Sequence, residues 1–88
     1  MPSMDIETVK RRIKEIIQES AQLGSAEIDD RAHLHQELRI DSLTLLEVAL
    51  TIDQEFKTDF TEEELMTMES VQRAAEMVVD RLTGGSRA

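Results

Sequence analysis

Apolar residues recur along this chain at helical spacing, and no stretch reads clearly as a strand. In MDIETVKRRIKEIIQESA, Ile6, Val9, Ile13, Ile16 and Ile17 fall on one face, which predicts a first helix. Ser3 or Asp5 would cap its start, and Gly24 stands just past its end, where a left-handed residue is usual. The periodicity fades over residues 23–41, where Ile28, Leu34, Leu38 and Ile40 are isolated apolar positions among turn formers. This predicts a long ordered loop pinned to the core by those four residues, with a short helical turn around His33 to Glu37; loops of such length are often functional. A second helix runs from about Ser42 to Phe56. TEEELMTM opens with Thr61 and Glu64 in capping-box spacing and predicts a short third helix. Ser70 would cap the last helix, whose apolar positions Val71, Ala74, Ala75, Val78 and Leu82 follow the i, i+3, i+4, i+7, i+11 pattern. The expected fold is all-α: a small four-helix bundle of three longer helices and one short third helix, with a long loop between helices one and two.

The second helix carries two apolar stripes. With about 100° per residue and Leu45 at zero, Val48, Ala49, Ile52 and Phe56 lie within roughly 60° of it and form a normal core face. Leu43, Leu46 and Leu50 fall elsewhere, between about 100° and 160°, with Glu47 and Gln54 beside them. A second leucine stripe has two explanations: a central helix buried on two sides, or an exposed apolar strip edged by carboxylates and suited to docking. In a bundle this small few helices can be covered twice, which favours docking.

Length and composition narrow the function. The chain has 88 residues, so one domain over residues 1–88 is expected, with its core in about 4–82 and a frayed polar tail at 83–88. The only aromatics are Phe56 and Phe60, and the core must be aliphatic. A deep substrate pocket with a full catalytic set would be cramped; a binding or carrier module fits better. Nineteen acidic residues against ten basic ones give a net charge of −9, which argues against nucleic acid and anionic membrane and for partners with basic patches. The chain contains no cysteine, hence no disulfide, thiol catalyst or thiolate metal site. No apolar run is long enough to span a membrane, and MPSMDIETVKRR has no secretory apolar stretch, so a cytoplasmic monomer is expected. Glu62, Glu63 and Glu64 adjoin Asp59, and their mutual repulsion would loosen the third helix at low salt.

Candidate chemistry converges on Ser42. Asp41 or Ser42 could each serve as the helix cap, accepting a hydrogen bond from a free N–H of the first turn. A catalytic serine would need a base; His33 and His35 lie upstream, but there is no G-x-S-x-G elbow and no glycine-rich oxyanion loop. The histidines also lack the spacing of a helical metal pair, so no metal site and no catalytic residue is assigned and the two imidazoles are read as solvated. A third role needs no catalytic set: the hydroxyl is a substrate for another enzyme, and a phosphate ester formed there would be stabilised by the helix dipole and free N–H groups.

LRIDSLTLLEVALTIDQEF resembles the modification segment of acyl carrier proteins, the phosphopantetheine-bearing carriers of fatty acid, polyketide and related thioester pathways. Asp41-Ser42-Leu43 matches the core tripeptide, Glu47 the acidic recognition position, and Glu55-Phe56 the helix end; DFTEEELMTMESVQRAAEMV resembles the acidic third helix and the fourth. The resemblance covers roughly residues 6–82. It implies that a phosphopantetheinyl transferase attaches 4′-phosphopantetheine to Ser42, whose thiol then holds acyl groups as thioesters. It further implies docking through Leu43, Leu46 and Leu50, with Asp41, Glu47 and Asp53 supplying charge to enzymes that transfer or modify acyl groups. Met66, Met68 and Met77 are flexible enough either to fill core gaps or to reshape around an acyl chain. Arg39 stands where the family usually has glycine; a left-handed turn there would be strained, so a different entry into the helix is expected. Thr44, Thr51 and Gln54 make the segment less acidic than in many fatty acid synthesis carriers, so a specialised pathway stands beside fatty acid synthesis as an alternative. The competing reading is a helical interaction module that uses the leucine strip for binding and Ser42 only as a cap.

Overall fold

A computed structural model describes residues 5–21 and 28–83. Among these residues the chain is all helical: α1 (Ile6–Ala21), α2 (Ser42–Phe56), α3 (Glu62–Leu65) and α4 (Val71–Leu82). The expected bundle is therefore present, with its short third helix. Ser3, Gly24 and the polar tail beyond Thr83 lie outside the described residues.

The core is aliphatic, as the composition requires. Helix α1 buries Val9, Ile13, Ile16 and Ile17, α2 buries Val48, Ala49 and Ile52, and α4 buries Val71, Ala74, Ala75 and Val78. Helix α1 packs against both α2 and α4. Its isoleucines fill the space left by the small Ala74 and Ala75 on the facing helix. Leu82 departs from the α4 pattern: it is exposed, because the last residue of the helix lies beyond the core.

Each helix begins where its side chains satisfy free amides. Asp5 Oδ1 accepts from Thr8 N at 2.9 Å and Ser70 Oγ from Arg73 N at 3.1 Å. In α3, Thr61 Oγ1 accepts from Glu64 N, and Glu64 Oε1 accepts from Thr61 N, which is the full capping box. Glu64 also meets Arg81 Nη2 at 3.0 Å, so one of the clustered acids is neutralised while Glu62 and Glu63 remain exposed. Arg81 in turn donates to the carbonyls of Thr58 and Asp59 and stacks 4.5 Å from the centre of the Phe60 ring, tying α4 to the α2–α3 connection.

The described part of the α1–α2 connection is a built structure. Ile28, Leu34 and Ile40 are buried and Leu38 packs on the core, as expected. A single helical turn closes with Glu37 N donating to His33 O at 2.8 Å. Two long-range backbone bonds, Leu34 N to Glu69 O and Gln72 N to Asp30 O, both 2.8 Å, fasten the loop to the segment before α4 and to α4's first turn. Asp30 also lies between Lys10 (3.0 Å) and Lys14 (2.6 Å) of α1, and these ammonium groups hold its carboxyl below the ordinary aspartate value, Lys14 most strongly.

Candidate functional site: the serine corner and its groove

The backbone resolves which residue caps α2. Asp41 is the cap: its φ and ψ are −73° and 168°, and its Oδ1 accepts from Thr44 N at 2.8 Å. That hydrogen bond holds the Asp41 carboxyl below its ordinary value, with the nearby His35 adding a smaller effect in the same direction. Ser42 is thus the first helical residue; it is exposed, and its hydroxyl is not used as the cap.

The approach to this corner differs from expectation. Arg39 does adopt the left-handed conformation, with φ 61°. Leu38 packs on the core and Ile40 is buried, while Arg39 between them is exposed. Reversing the chain at Arg39 lets both neighbours turn inward, and burial of those side chains outweighs a left-handed penalty of roughly 1–2 kcal/mol.

Downstream of Ser42 the two stripes of α2 separate cleanly. Val48, Ala49 and Ile52 are sealed in the core, with Leu45 and Phe56 half-buried at its edge. Leu43 is 67% exposed and Leu50 41%, and Leu46 between them is half-buried. Glu47 is exposed beside this ridge. Asp53 behaves differently from a freely presented surface charge. Its Oδ1 accepts from Thr58 Oγ1 at 2.7 Å and from Phe60 N at 2.8 Å. The cause is the left-handed Lys57, φ 56°, which ends α2 and folds the following residues back onto it. At about 80° on the wheel, Asp53 sits between the core face and the ridge, and that position was the available signal for its internal role.

A groove of about 210 Å³ opens beside Ser42. Leu45, Leu46, Leu65 and Met68 form its apolar wall, Met66 its rim, and His33, His35 and Glu69 its polar mouth. Behind it a void of about 10 Å³ reaches between Ile13, Ile17 and Ile52 and shares Leu45 and Met68 with the groove. Of the methionines, Met68 is buried, Met77 half-buried and Met66 68% exposed. A larger hollow of about 560 Å³ lies between α3 and α4, with Glu63, Glu76, Asp80 and Arg73 among its walls and no residue of α2. Among the described residues no helix is long and apolar enough to cross a membrane, and no cluster of three metal-ligating side chains occurs.

In class, this is a small all-helical module whose distinctive surface is a serine corner beside an apolar ridge and groove. A family model described as the phosphopantetheine attachment site matches residues 11–78, and the chain belongs to that family. Its carrier domains are non-catalytic, hold 4′-phosphopantetheine covalently on a serine, and work with a phosphopantetheinyl transferase and acyl-handling enzymes. The chain accordingly has a phosphopantetheine-carrier role. The residues of the corner fit such a group: an accessible hydroxyl released from capping duty, with a groove alongside to receive an arm.

Proposed function

We propose that Ser42 bears the arm and that the chain presents acyl thioesters to partner enzymes in fatty acid synthesis or in a specialised polyketide, nonribosomal peptide or lipid pathway. The observation that carries the assignment is the division of labour at the helix start, with Asp41 capping and Ser42 exposed. In the transfer, Ser42 Oγ bonds to the phosphorus of the phosphopantetheine moiety. The pyrophosphate P–O bond of coenzyme A breaks, adenosine 3′,5′-bisphosphate leaves, and the hydroxyl proton passes to a base of the transferase. The exposed Arg39, with Thr44, Thr51 and Gln54, supports a specialised pathway over housekeeping synthesis, because it gives partners a less uniformly acidic surface to read.

Partners dock on Leu43, Leu46 and Leu50, while Glu47 and Asp41 attract basic patches and raise association rates more than affinity. Asp53, with Oδ1 committed to Thr58 and Phe60, contributes charge rather than a direct contact. The apolar wall of the groove, which shares Leu45 and Met68 with the small core void, supports entry of an acyl chain past those two residues.

Incubation with coenzyme A and a broad-specificity transferase, followed by mass spectrometry, tests the assignment. The chain should gain one phosphopantetheine, Ser42→Ala should gain none, and acyl loading should shift the methyl resonances of Leu45 and Met68. No gain would leave the interaction-module reading in its place; a gain that survives Ser42→Ala would overturn Ser42 as the attachment residue; unmoved methyl resonances would reject chain entry alone.

A further inference from the structure

Acyl presentation leaves the polar mouth of the groove without a role. His33 and His35 line it together with Ser42 and Glu69. Both imidazoles belong to the loop leading into α2, and their Nδ1 atoms are engaged in opposite senses. His35 Nδ1 lies 2.7 Å from the carbonyl oxygen of Ile40. A carbonyl only accepts, so His35 carries a proton on Nδ1. His33 Nδ1 lies 3.1 Å from the Gln36 amide nitrogen, which only donates, so His33 presents its lone pair there.

This difference separates the two residues chemically. His35 keeps its Ile40 bond in either charge state, and as an imidazolium it offers a second N–H at Nε2. His33 gives up its Gln36 bond if Nδ1 is protonated. His35 is also the more exposed of the two, so a group at Ser42 has open access to it. The charged groups around it are Asp41 on the α2 cap, Glu69 on the opposite wall and Arg39 on the same loop. Among the described residues the one hydrogen bond the His35 ring makes is to the Ile40 carbonyl; Asp41, whose Oδ1 accepts from Thr44 N, acts on the ring electrostatically without a hydrogen bond to it.

We infer that His35 is a positioning residue for the arm. Its ring is fixed by the Nδ1–Ile40 bond, and its Nε2–H donates to a phosphodiester oxygen on Ser42, directing the arm toward the apolar wall of the groove rather than outward from the helix tip. The ligand chemistry is a singly charged phosphodiester, and the inference rests on Ser42 as the attachment residue. A negative charge fixed on Ser42 favours the imidazolium form of a ring that donates to it.

Nuclear magnetic resonance on the apo protein, the transferase-treated protein and treated Ser42→Ala tests this. A phosphodiester keeps its charge between about pH 5 and 8, so a change in the phosphorus resonance over that range reports a neighbouring imidazole. The expected result is a rise in the His35 Cε1–H midpoint on attachment, exceeding any change at His33, and a phosphorus shift that follows the same midpoint. His35→Gln should flatten the phosphorus titration; His33→Gln should leave it. Equal His35 midpoints in apo and modified protein, or a phosphorus titration that persists in His35→Gln, would overturn the inference while leaving the carrier assignment intact. Absence of any mass gain would remove both. If His35→Gln does not fold, the wild-type comparison of the two midpoints decides by itself.

Discussion

The two ends of α2 are built on different principles. Its C-terminal half is fastened by core packing and by side-chain hydrogen bonds to two other segments. Ile52 is buried among the helices, Glu55 takes a forked pair of hydrogen bonds from Arg12 of α1, and Asp53 gathers in Thr58 and Phe60. Its N-terminal end is held by one carboxylate cap and is otherwise open, with Ser42 and Leu43 facing solvent. One helix can serve both as a core element and as a presented surface because rigidity enters from the end remote from the serine. The exposed end needs only a fixed backbone direction, and the clamped end supplies it.

The strongest way to break this contrast is truncation on each side of the helix. Ile52→Ala should destabilise the fold by about 2–5 kcal/mol, read as a fall in the urea midpoint. Leu43→Ala should stay within about 0.5 kcal/mol of wild type, yet lower the kcat/KM of the transferase roughly 5- to 30-fold. Equal destabilisation by both changes would mean that the ridge is structural. Acid provides a gentler probe of the clamped end. Arg12 holds the Glu55 carboxyl below its ordinary value of 4.5, so the unfolded chain takes up that proton first as pH falls. The stabilisation is complete above that value and is lost as pH drops through the folded-state value. Melting temperature should therefore decline below about pH 4.5, and Glu55→Gln should start lower and decline less steeply. The smallest effect belongs to the open end. Arg39→Gly should raise stability by about 0.5 kcal/mol, the relief of left-handed strain less the added flexibility of the unfolded chain. A loss of stability on that change would show that the Arg39 side chain makes a compensating contact.

What the sequence disclosed followed from local rules. Spacing located the helices, capping chemistry located Thr61 and Ser70, and the wheel separated Leu43, Leu46 and Leu50 from Val48 and Ile52. Each of these depends on residues a few positions apart. The undisclosed features depend on distant chain segments meeting. Arg81 reaching Thr58 and Phe60, Asp30 between Lys10 and Lys14, and Leu34 bonding to Glu69 have no short-range signature. At Arg39 a local strain rule predicts a different entry into the helix, and the burial of its two neighbours overrides it. The wheel places Asp53 off both stripes, but the backward fold after Lys57 that brings Thr58 and Phe60 to its carboxylate has no local signature. His35 is exposed, as its loop position predicts, but only the folded loop brings the Ile40 carbonyl to its ring.

Helix α3 has a mechanical consequence for cargo. Four residues are too few to persist as a helix unaided, so α3 owes its form to its capping box and to its neighbours. On one side Arg81 anchors the residues just before it; on the other the Leu34–Glu69 bond anchors those just after it. Leu65 and Met66, which border the groove, therefore sit on a short span held at both ends. Within that span Glu64 is paired to Arg81 and Leu65 is buried in the shared core, so the outer wall of the groove is set by the packing of α4 and the loop and not by any helical preference of its own four residues.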